Sequence, residues 1–304
     1  MHEHSAAVGM GDRERLQAGG ESHMAPAGRA TRQARRDCGD REGAEAHCLR
    51  ESMMGKDSAI AWCSHTYNPW VGCHKVSAGC RACYAEASMT RFGRDFGKVT
   101  RTTPSTFNSP LKWREPAYVF TCSWSDFFIA EADGWRDDAW DIIRRTPHLT
   151  YQILTKRPER IAAHLPDDWG AGWKNVWLGT TAENQDALDE RAPQLLAVPA
   201  TLHFLSCEPL LGPLSLGAFL PDAGLRSRTT TEWKGAAAAI WVICGGESGP
   251  SARQLELGWV ESIVAECRAR HVPVFVKQDS GPRPGQQGRI PSELWLHEMP
   301  AEAR

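Results

Sequence analysis

The sequence predicts an α/β protein: an incomplete or irregular (β/α) barrel of about six or seven parallel strands. Three observations carry that prediction. Short runs recur that are apolar on both sides of the strand, as strands buried on both faces require. Stretches with helical spacing of apolar residues lie between them. The runs begin at residues 118, 151, 176, 202, 240 and 272, roughly 25 to 38 residues apart, the length of a strand–helix–strand unit. Such alternation gives a parallel sheet with helices outside it.

The elements follow in order. The apolar runs are Tyr118–Cys122, Tyr151–Leu154, Val176–Gly179, Leu202–Leu205, Ile240–Ile243 and Val272–Val276. A short strand near His65–Asn68 brings the total to about seven. Residues 84–91 read as a helix start, and Asp138–Arg145 as a short helix ending in a basic pair, which suits a helix C-terminus. Glu183–Leu196 carries leucines at 188, 195 and 196 on a polar background. Leu257–Arg270 places Leu257, Val260, Ile263, Val264 and Cys267 at helical spacing. Pro221–Gly235 reads as an insertion, and Ser280–Arg289 as a Gly/Pro-rich connection to a short terminal element at Leu294–Leu296.

The domain division is residues 1–55 and 56–304. The first part is rich in Gly, Ala, Arg, Glu and His and lacks aliphatic periodicity, so it is expected to be a disordered extension. Its His2, His4, His23 and His47 are read as part of a solvated tail rather than a metal trap. The barrel domain occupies the rest. A hydrophobic share of 41% and a charged share of 24% are ordinary for a globular chain, and a formal net charge of −2 gives no global field toward nucleic acid or membrane. No run reaches the ~18 apolar residues of a membrane span, and the N-terminus lacks the apolar segment of a signal peptide. The expected location is the cytoplasm, where the ten cysteines stay reduced and serve as ligands, nucleophiles or apolar fillers.

Each apolar run ends in chemically capable residues. In turn these are Ser123, Ser125 and Asp126; Thr155, Lys156 and Arg157; Thr180, Thr181, Glu183 and Asn184; Ser206, Cys207 and Glu208; Cys244, Gly245, Gly246 and Glu247; then Lys277 and Gln278. Ligands and catalysis sit at the C-terminal ends of parallel strands, so these groups are expected to converge on one mouth.

The strongest local signal is Gly72-Cys73, then Gly79-Cys80 and Cys83-Tyr84-Ala85-Glu86, a C-x6-C-x2-C spacing. Glycine permits the turns that aim such cysteines into one concavity, and a helix starting at Tyr84 would present its positive end to thiolates. Three thiolates suit a [4Fe–4S] cluster with one iron left open. Zinc is the alternative, with His74, Cys63 or Cys122 as a fourth ligand, and three buried inert cysteines are the remaining one. Cys122, Cys207 and Cys244 near strand ends, and Cys267 on a helix, read as core fillers.

Arg91 to Arg114 holds Arg91, Arg94, Lys98, Arg101, Lys112 and Arg114 against Asp95 alone among the acids, interleaved with Phe92, Phe96, Phe107 and Trp113. This mixture could track a phosphate backbone and stack bases. The other reading is a solvated loop with aromatics anchored in the core.

The run NPWVGCHKVSAGCRACYAEA resembles the phage-type three-cysteine-motif family. LTKRPER, GTTAENQ, FLSCEPLLGPL, GGESGP and VFVKQ look like its later blocks, in the same order, covering about Asp57 to Pro300. The cluster loop also looks like that of radical SAM enzymes, spore photoproduct lyase in particular. This resemblance implies a radical-SAM-like barrel, a [4Fe–4S] cluster on Cys73, Cys80 and Cys83, and S-adenosylmethionine on the open iron. It implies an electron donor and a 5′-deoxyadenosyl radical that abstracts hydrogen from substrate. The Gly-Gly-Glu motif of those enzymes follows their second strand, where this chain has Ser123-Trp124-Ser125-Asp126. Asp126 is therefore assigned to the amine of S-adenosylmethionine, Glu183 or Asn184 to the ribose, and Tyr84 of the Cys-Tyr-Ala pattern to the same cofactor. Glu208 and Glu247 are expected to face substrate, with Lys156 and Lys277 completing the candidate catalytic set. The family's usual beginning looks like MGKDSAIAW, which places the expected start of translation at Met54 or makes the first 53 residues an appended tail. A nucleic-acid substrate fits the likeness to a DNA-repair lyase. Two rival functions are a zinc- or cluster-binding nucleic-acid adapter without catalysis, and a barrel hydrolase or lyase with structural zinc.

Overall fold

A computed structural model describes residues 58–221 and 239–300. The extension 1–55 and residues 222–235 of the expected insertion lie outside the described residues. In chain order the elements are β1 (His65–Tyr67), β2 (Trp70–Val71), α1 (Tyr84–Arg91), β3 (Thr100–Arg101), α2 (Pro104–Phe107), β4 (Ala117–Thr121), α3 (Asp133–Arg144), β5 (Leu149–Thr155), β6 (Val176–Thr181), α4 (Gln185–Leu196), β7 (Leu202–Cys207), β8 (Ala239–Cys244), α5 (Leu257–Ala269) and β9 (Val274–Val276).

Seven strands form one sheet in the order β1-β4-β5-β6-β7-β8-β9, and every neighbouring pair is parallel. Strand order equals chain order, as in a (β/α) barrel, and the curled sheet is an incomplete barrel of this kind. Strands β2 and β3 pair apart from it as a short antiparallel ribbon.

Alternation along each strand separates two apolar layers. Val119, Val176, Leu178, Val242, Cys244, Val274 and Val276 join the helical residues Ile143, Leu188, Leu195, Val260 and Ile263 in the larger one. The intervening Phe120, Trp177, Phe204, Trp241, Ile243 and Phe275 pack with Trp62 and Cys63 on the other face, in a layer to which no helix among the described residues contributes. That face is filled with edge-on aromatics, Trp62 on Phe120 at 4.6 Å and Trp241 on Phe275 at 6.2 Å between centroids. Gly179 makes room for them: a Cβ there would come 2.4 Å from the ring of Phe204.

Two departures from the sequence expectation are local. Helix α3 begins at Asp133, not Asp138, because Arg136 stitches its first turn to the preceding loop. The Arg136 guanidinium donates to Asp133 at 2.7 Å and to the carbonyls of Phe127 and Ile129 at 3.0 and 2.7 Å. Between β5 and β6 stand only 3-10 turns at Pro158–Arg160 and Ala162–His164, followed by Trp169 and Trp173 packed against Trp140. No helix among the described residues is long and apolar enough to cross a membrane.

Candidate functional site

The three-cysteine segment leaves the end of β1 and is tied to the exit of β4 before it reaches its first cysteine. The Asn68 side chain donates to the Ser123 hydroxyl at 2.9 Å and accepts from the Trp124 amide at 2.9 Å. The Trp70 indole N–H donates to the carbonyl of Asp126 at 3.0 Å. Gly72 then turns with φ +94°, where a Cβ would meet the Lys98 carbonyl at 2.6 Å, so only glycine fits.

Each later part of the segment is held by a different strand end. Arg157, after β5, places Nη1 3.9 Å from Cys73 Sγ and donates through Nη2 to the His74 carbonyl at 3.1 Å. Glu183, after β6, accepts from the Gly79 amide at 3.3 Å. Tyr84 donates its hydroxyl proton to the Ser123 carbonyl, after β4, at 2.7 Å. Cys83 is the N-cap residue of α1, in extended backbone. Arg81 lies near enough to Glu247, after β8, for its charge to favour that carboxylate. The loop thus lies over the C-terminal edge of the sheet, where parallel α/β proteins place their chemistry.

The carboxylates expected at this mouth are present, and they are engaged. Asp126 is buried and accepts four hydrogen bonds: Phe128 N–H and Thr155 Oγ1 on Oδ1, Lys156 N–H and Arg157 Nη1 on Oδ2, at 2.6 to 2.9 Å. Its assignment to a cofactor amine therefore meets a carboxylate already filled by protein donors. Glu183 pairs with Arg191 at 2.9 Å. Asn184 caps α4, its Oδ1 accepting from the Ala187 amide at 2.9 Å. Glu208 and Lys277 form an ion pair at 2.6 Å across the intervening strand β8. Glu247 takes three hydrogen bonds from Arg253, the shortest 2.6 Å. Lys156 donates from Nζ to the Thr181 hydroxyl at 3.2 Å and makes no ion pair among the described residues.

Arg191, Arg253 and Arg289, the last paired with Asp279 at 2.8 Å, escaped the sequence reading. A signal existed for Arg191, which interrupts the apolar face that Leu188, Ala192 and Leu195 form on α4. The aromatics of the basic stretch are anchored inward: Phe96 and Phe107 are buried and Trp113 packs on the larger core. Arg101 lies 4.1 Å over Phe107 and pairs with Asp138, whereas Arg91, Arg94, Lys98, Lys112 and Arg114 are exposed.

The thiols differ in acidity. Burial, and then the negative Asp126, push Cys73 up to about 11 despite Arg157. Burial also opposes ionisation of Cys80, but the charge of Lys156 and hydrogen bonds from Val76 and Ser77 outweigh it and set that thiol below its ordinary value. Glu183 is buried too, yet Ser77, Arg191 and Lys156 hold it below the usual carboxylate range.

The donor chemistry fits the group that three cysteines imply. The thiols are free and partly buried in one loop, with a guanidinium beside one, an ammonium near another and a helix N-terminus after the third. They do not stand as an assembled set: among the described residues no three His, Cys, Asp or Glu side chains are placed to hold a metal ion. Of the alternative fourth ligands, His74 turns to Glu131 at 2.6 Å, while Cys63 and Cys122 are buried in the two opposite apolar layers.

Beside the loop, at the ends of β5 and β6, a cleft of about 380 Å³ is lined by His74 and Val76 of the loop, by Ile129, Ala130 and Glu131, and by Lys156, Arg157, Glu159, Arg160, Glu190 and Arg191. That volume lies within the range of small-molecule sites. No curated protein and no solved structure matches the chain. Residues 57–290 match DUF5131, described as a protein of unknown function, and the chain belongs to that family.

Proposed function

We propose that the chain is a radical-SAM-like iron–sulfur enzyme, with Cys73, Cys80 and Cys83 holding a [4Fe–4S] cluster and S-adenosylmethionine binding beside it. The observation that supports this reading is the pinning of the three-cysteine loop across the strand ends by Arg157, Glu183 and Tyr84. When bound, the cluster and S-adenosylmethionine supply one-electron reduction and hydrogen-atom abstraction. The chain's own residues prepare the place. Lys156 puts positive charge near Cys80 and favours its thiolate, and Arg157 offsets part of the burial and Asp126 charge that keep the Cys73 thiol high. Glu183, fixed by Arg191, keeps the loop seated. The Lys277–Glu208 ion pair sets an ammonium and a carboxylate side by side at the mouth. Its substrate in this reading is a nucleic acid, contacted through phosphates by Arg91, Arg94, Lys98, Lys112 and Arg114 rather than by stacking. A cytoplasmic setting and an electron-donor partner belong to the same reading.

Anaerobic purification tests it. Brown protein with iron and sulfide, forming 5′-deoxyadenosine from S-adenosylmethionine under reductant, is the expected result, and replacing all three cysteines by alanine should abolish both. Colourless protein with stoichiometric zinc would overturn the proposal in favour of an adapter or a zinc-supported hydrolase or lyase.

A further inference from the structure

The larger apolar layer contains a line of indoles that starts at the three-cysteine loop. Trp70 stands three residues before Cys73. Its ring is 5.1 Å from that of Phe127, and Phe127 is 4.9 Å from Trp140, between centroids. Trp140 packs on Trp169 and on Trp173, each at 5.7 Å. Trp70, Trp140 and Trp169 are buried, and Trp173 is partly exposed. The line thus runs from the loop through the core to solvent. The aromatics on the other face of the sheet, Trp62, Trp177 and Trp241 among them, form a separate layer.

Packing alone asks for apolar bulk, not for indole at every node. Each indole of the line donates its N–H to a backbone carbonyl: Trp70 to Asp126 at 3.0 Å, Trp140 to His164 at 2.9 Å, Trp169 to Pro199 at 2.7 Å and Trp173 to Asp168 at 3.2 Å. A carbonyl is too weak a base to take that proton. An indole that loses an electron inside the line therefore stays a radical cation, able to take an electron from the next ring. Trp173, partly exposed, has water to take its proton. The Arg144 guanidinium lies 4.9 Å from the Trp173 ring, and Asp168 offsets that charge through two hydrogen bonds.

We propose that Trp70, Trp140 and Trp173 carry oxidising equivalents from the cysteine loop to the surface. The oxidant is a peroxide-derived oxyl radical formed at the loop, which takes one electron from Trp70 and becomes hydroxide. Trp140 refills Trp70 across the ring of Phe127, and Trp173 refills Trp140. The Trp173 radical cation then gives its N–H proton to water, which holds the radical at the surface. A soluble thiol or ascorbate returns one electron and one proton. The loop thiols are thereby spared the climb to sulfinic and sulfonic acid. This path goes beyond the function proposed above and does not depend on which group the three cysteines hold.

The test places a photochemical oxidant on the loop of the full, metal-free chain. The His74 side chain is 50% exposed and its pair with Glu131 is a surface one, so His74→Cys offers a thiol for a ruthenium(II) polypyridyl label at little cost. Cys38, Cys48, Cys73, Cys80 and Cys83 are replaced by serine, while Cys63, Cys122, Cys207, Cys244 and Cys267 are buried and stay. Flash excitation with an oxidative quencher leaves ruthenium(III), a one-electron oxidant on the loop. Transient absorption follows the indole radical, and peptide mass mapping locates the oxygenated product. In the labelled parent the product should collect at Trp173. Trp70→Phe and Trp140→Phe should each abolish it there, and Trp140→Phe should leave a radical at Trp70 that returns its hole to ruthenium. Trp135→Phe, which removes a partly buried indole of α3 outside the line, should change nothing. Trp173→Phe, near the surface, should move the product to Trp169 and tests the exit even where a buried variant fails to fold. No product at Trp173 in the parent, or product there that survives Trp70→Phe or Trp140→Phe, overturns the path. So does loss of product in Trp135→Phe, or its failure to appear at Trp169 in Trp173→Phe.

Discussion

Arg157 and Cys73 lie 84 positions apart in the chain, and the guanidinium Nη1 stands 3.9 Å from the thiol sulfur. The same nitrogen donates to Asp126 at 2.9 Å, and the side chains of the ion pair are 11% and 6% exposed. Arg157→Ala should strand a buried carboxylate and cost about 3 kcal/mol of stability in urea denaturation. It should also raise the Cys73 thiol further above about 11, because Arg157 is what lowers it against burial and Asp126. Arg157→Lys keeps the charge and loses the fork that reaches Asp126, Cys73 and the His74 carbonyl together, so it should recover only part of the loss. Wild-type stability in Arg157→Ala would show that the pair does not hold the site.

Glu183 makes a sharper demand on the loop. It is 1% exposed, pairs with the buried Arg191 and receives the Gly79 amide. Glu183→Gln keeps the shape but removes the charge that Arg191 needs. The variant should lose roughly 2–3 kcal/mol and expose the segment around Arg81, which trypsin should then cut faster than in wild type. Unchanged cleavage at Arg81 would mean that the loop is held without Glu183.

The sheet was legible because its strands are apolar on both faces. The run Ile240–Ile243 became Ala239–Cys244, and Leu202–Leu205 became Leu202–Cys207. Where charge replaced apolar periodicity the reading failed: Asp133 to Asp137 hides the first turn of α3, whose register is set by bonds from Arg136 to loop carbonyls. At the site, strand-end position led to Asp126, Glu183, Glu208 and Glu247, which follow β4, β6, β7 and β8. It could not show that each is already paired, since the partners stand 31, 8, 69 and 6 residues away in sequence. Composition likewise could not separate stacking aromatics from anchors; Phe96 and Phe107 are buried, while Phe92 and Trp113 are partly buried.

Gly179 carries a packing prediction. Its missing side chain is replaced by the ring of Phe204, which a Cβ would approach to 2.4 Å. Gly179→Ala must push that ring into Trp241, 6.1 Å away between centroids, in a layer already filled by Trp62, Trp177 and Phe275. Overpacking of this kind costs typically 1–3 kcal/mol, so the melting transition should fall by roughly that equivalent. The double variant Gly179→Ala, Phe204→Leu should regain part of it. A Gly179→Ala protein as stable as wild type would mean the layer yields freely.

The last prediction is a pH dependence at Glu247. Burial raises its pKa, but the hydrogen bonds and charge of Arg253, with a smaller contribution from Arg81, hold it below the ordinary 4.5. The folded protein therefore binds this proton less readily than the unfolded chain. By linkage, stability from the pair is fully present above the unfolded value and is lost as pH falls through the lower folded value. Glu247→Gln removes that contribution at every pH. The stability gap between wild type and variant, measured by denaturant unfolding, should be constant from about pH 7 to about pH 5 and shrink below about pH 4.5. Other carboxylates, Glu183 and Asp279 among them, titrate in both proteins and largely cancel in the difference, since they do not contact Glu247. A gap that stays constant or widens in acid would show that Arg253 does not stabilise the ionised form of Glu247.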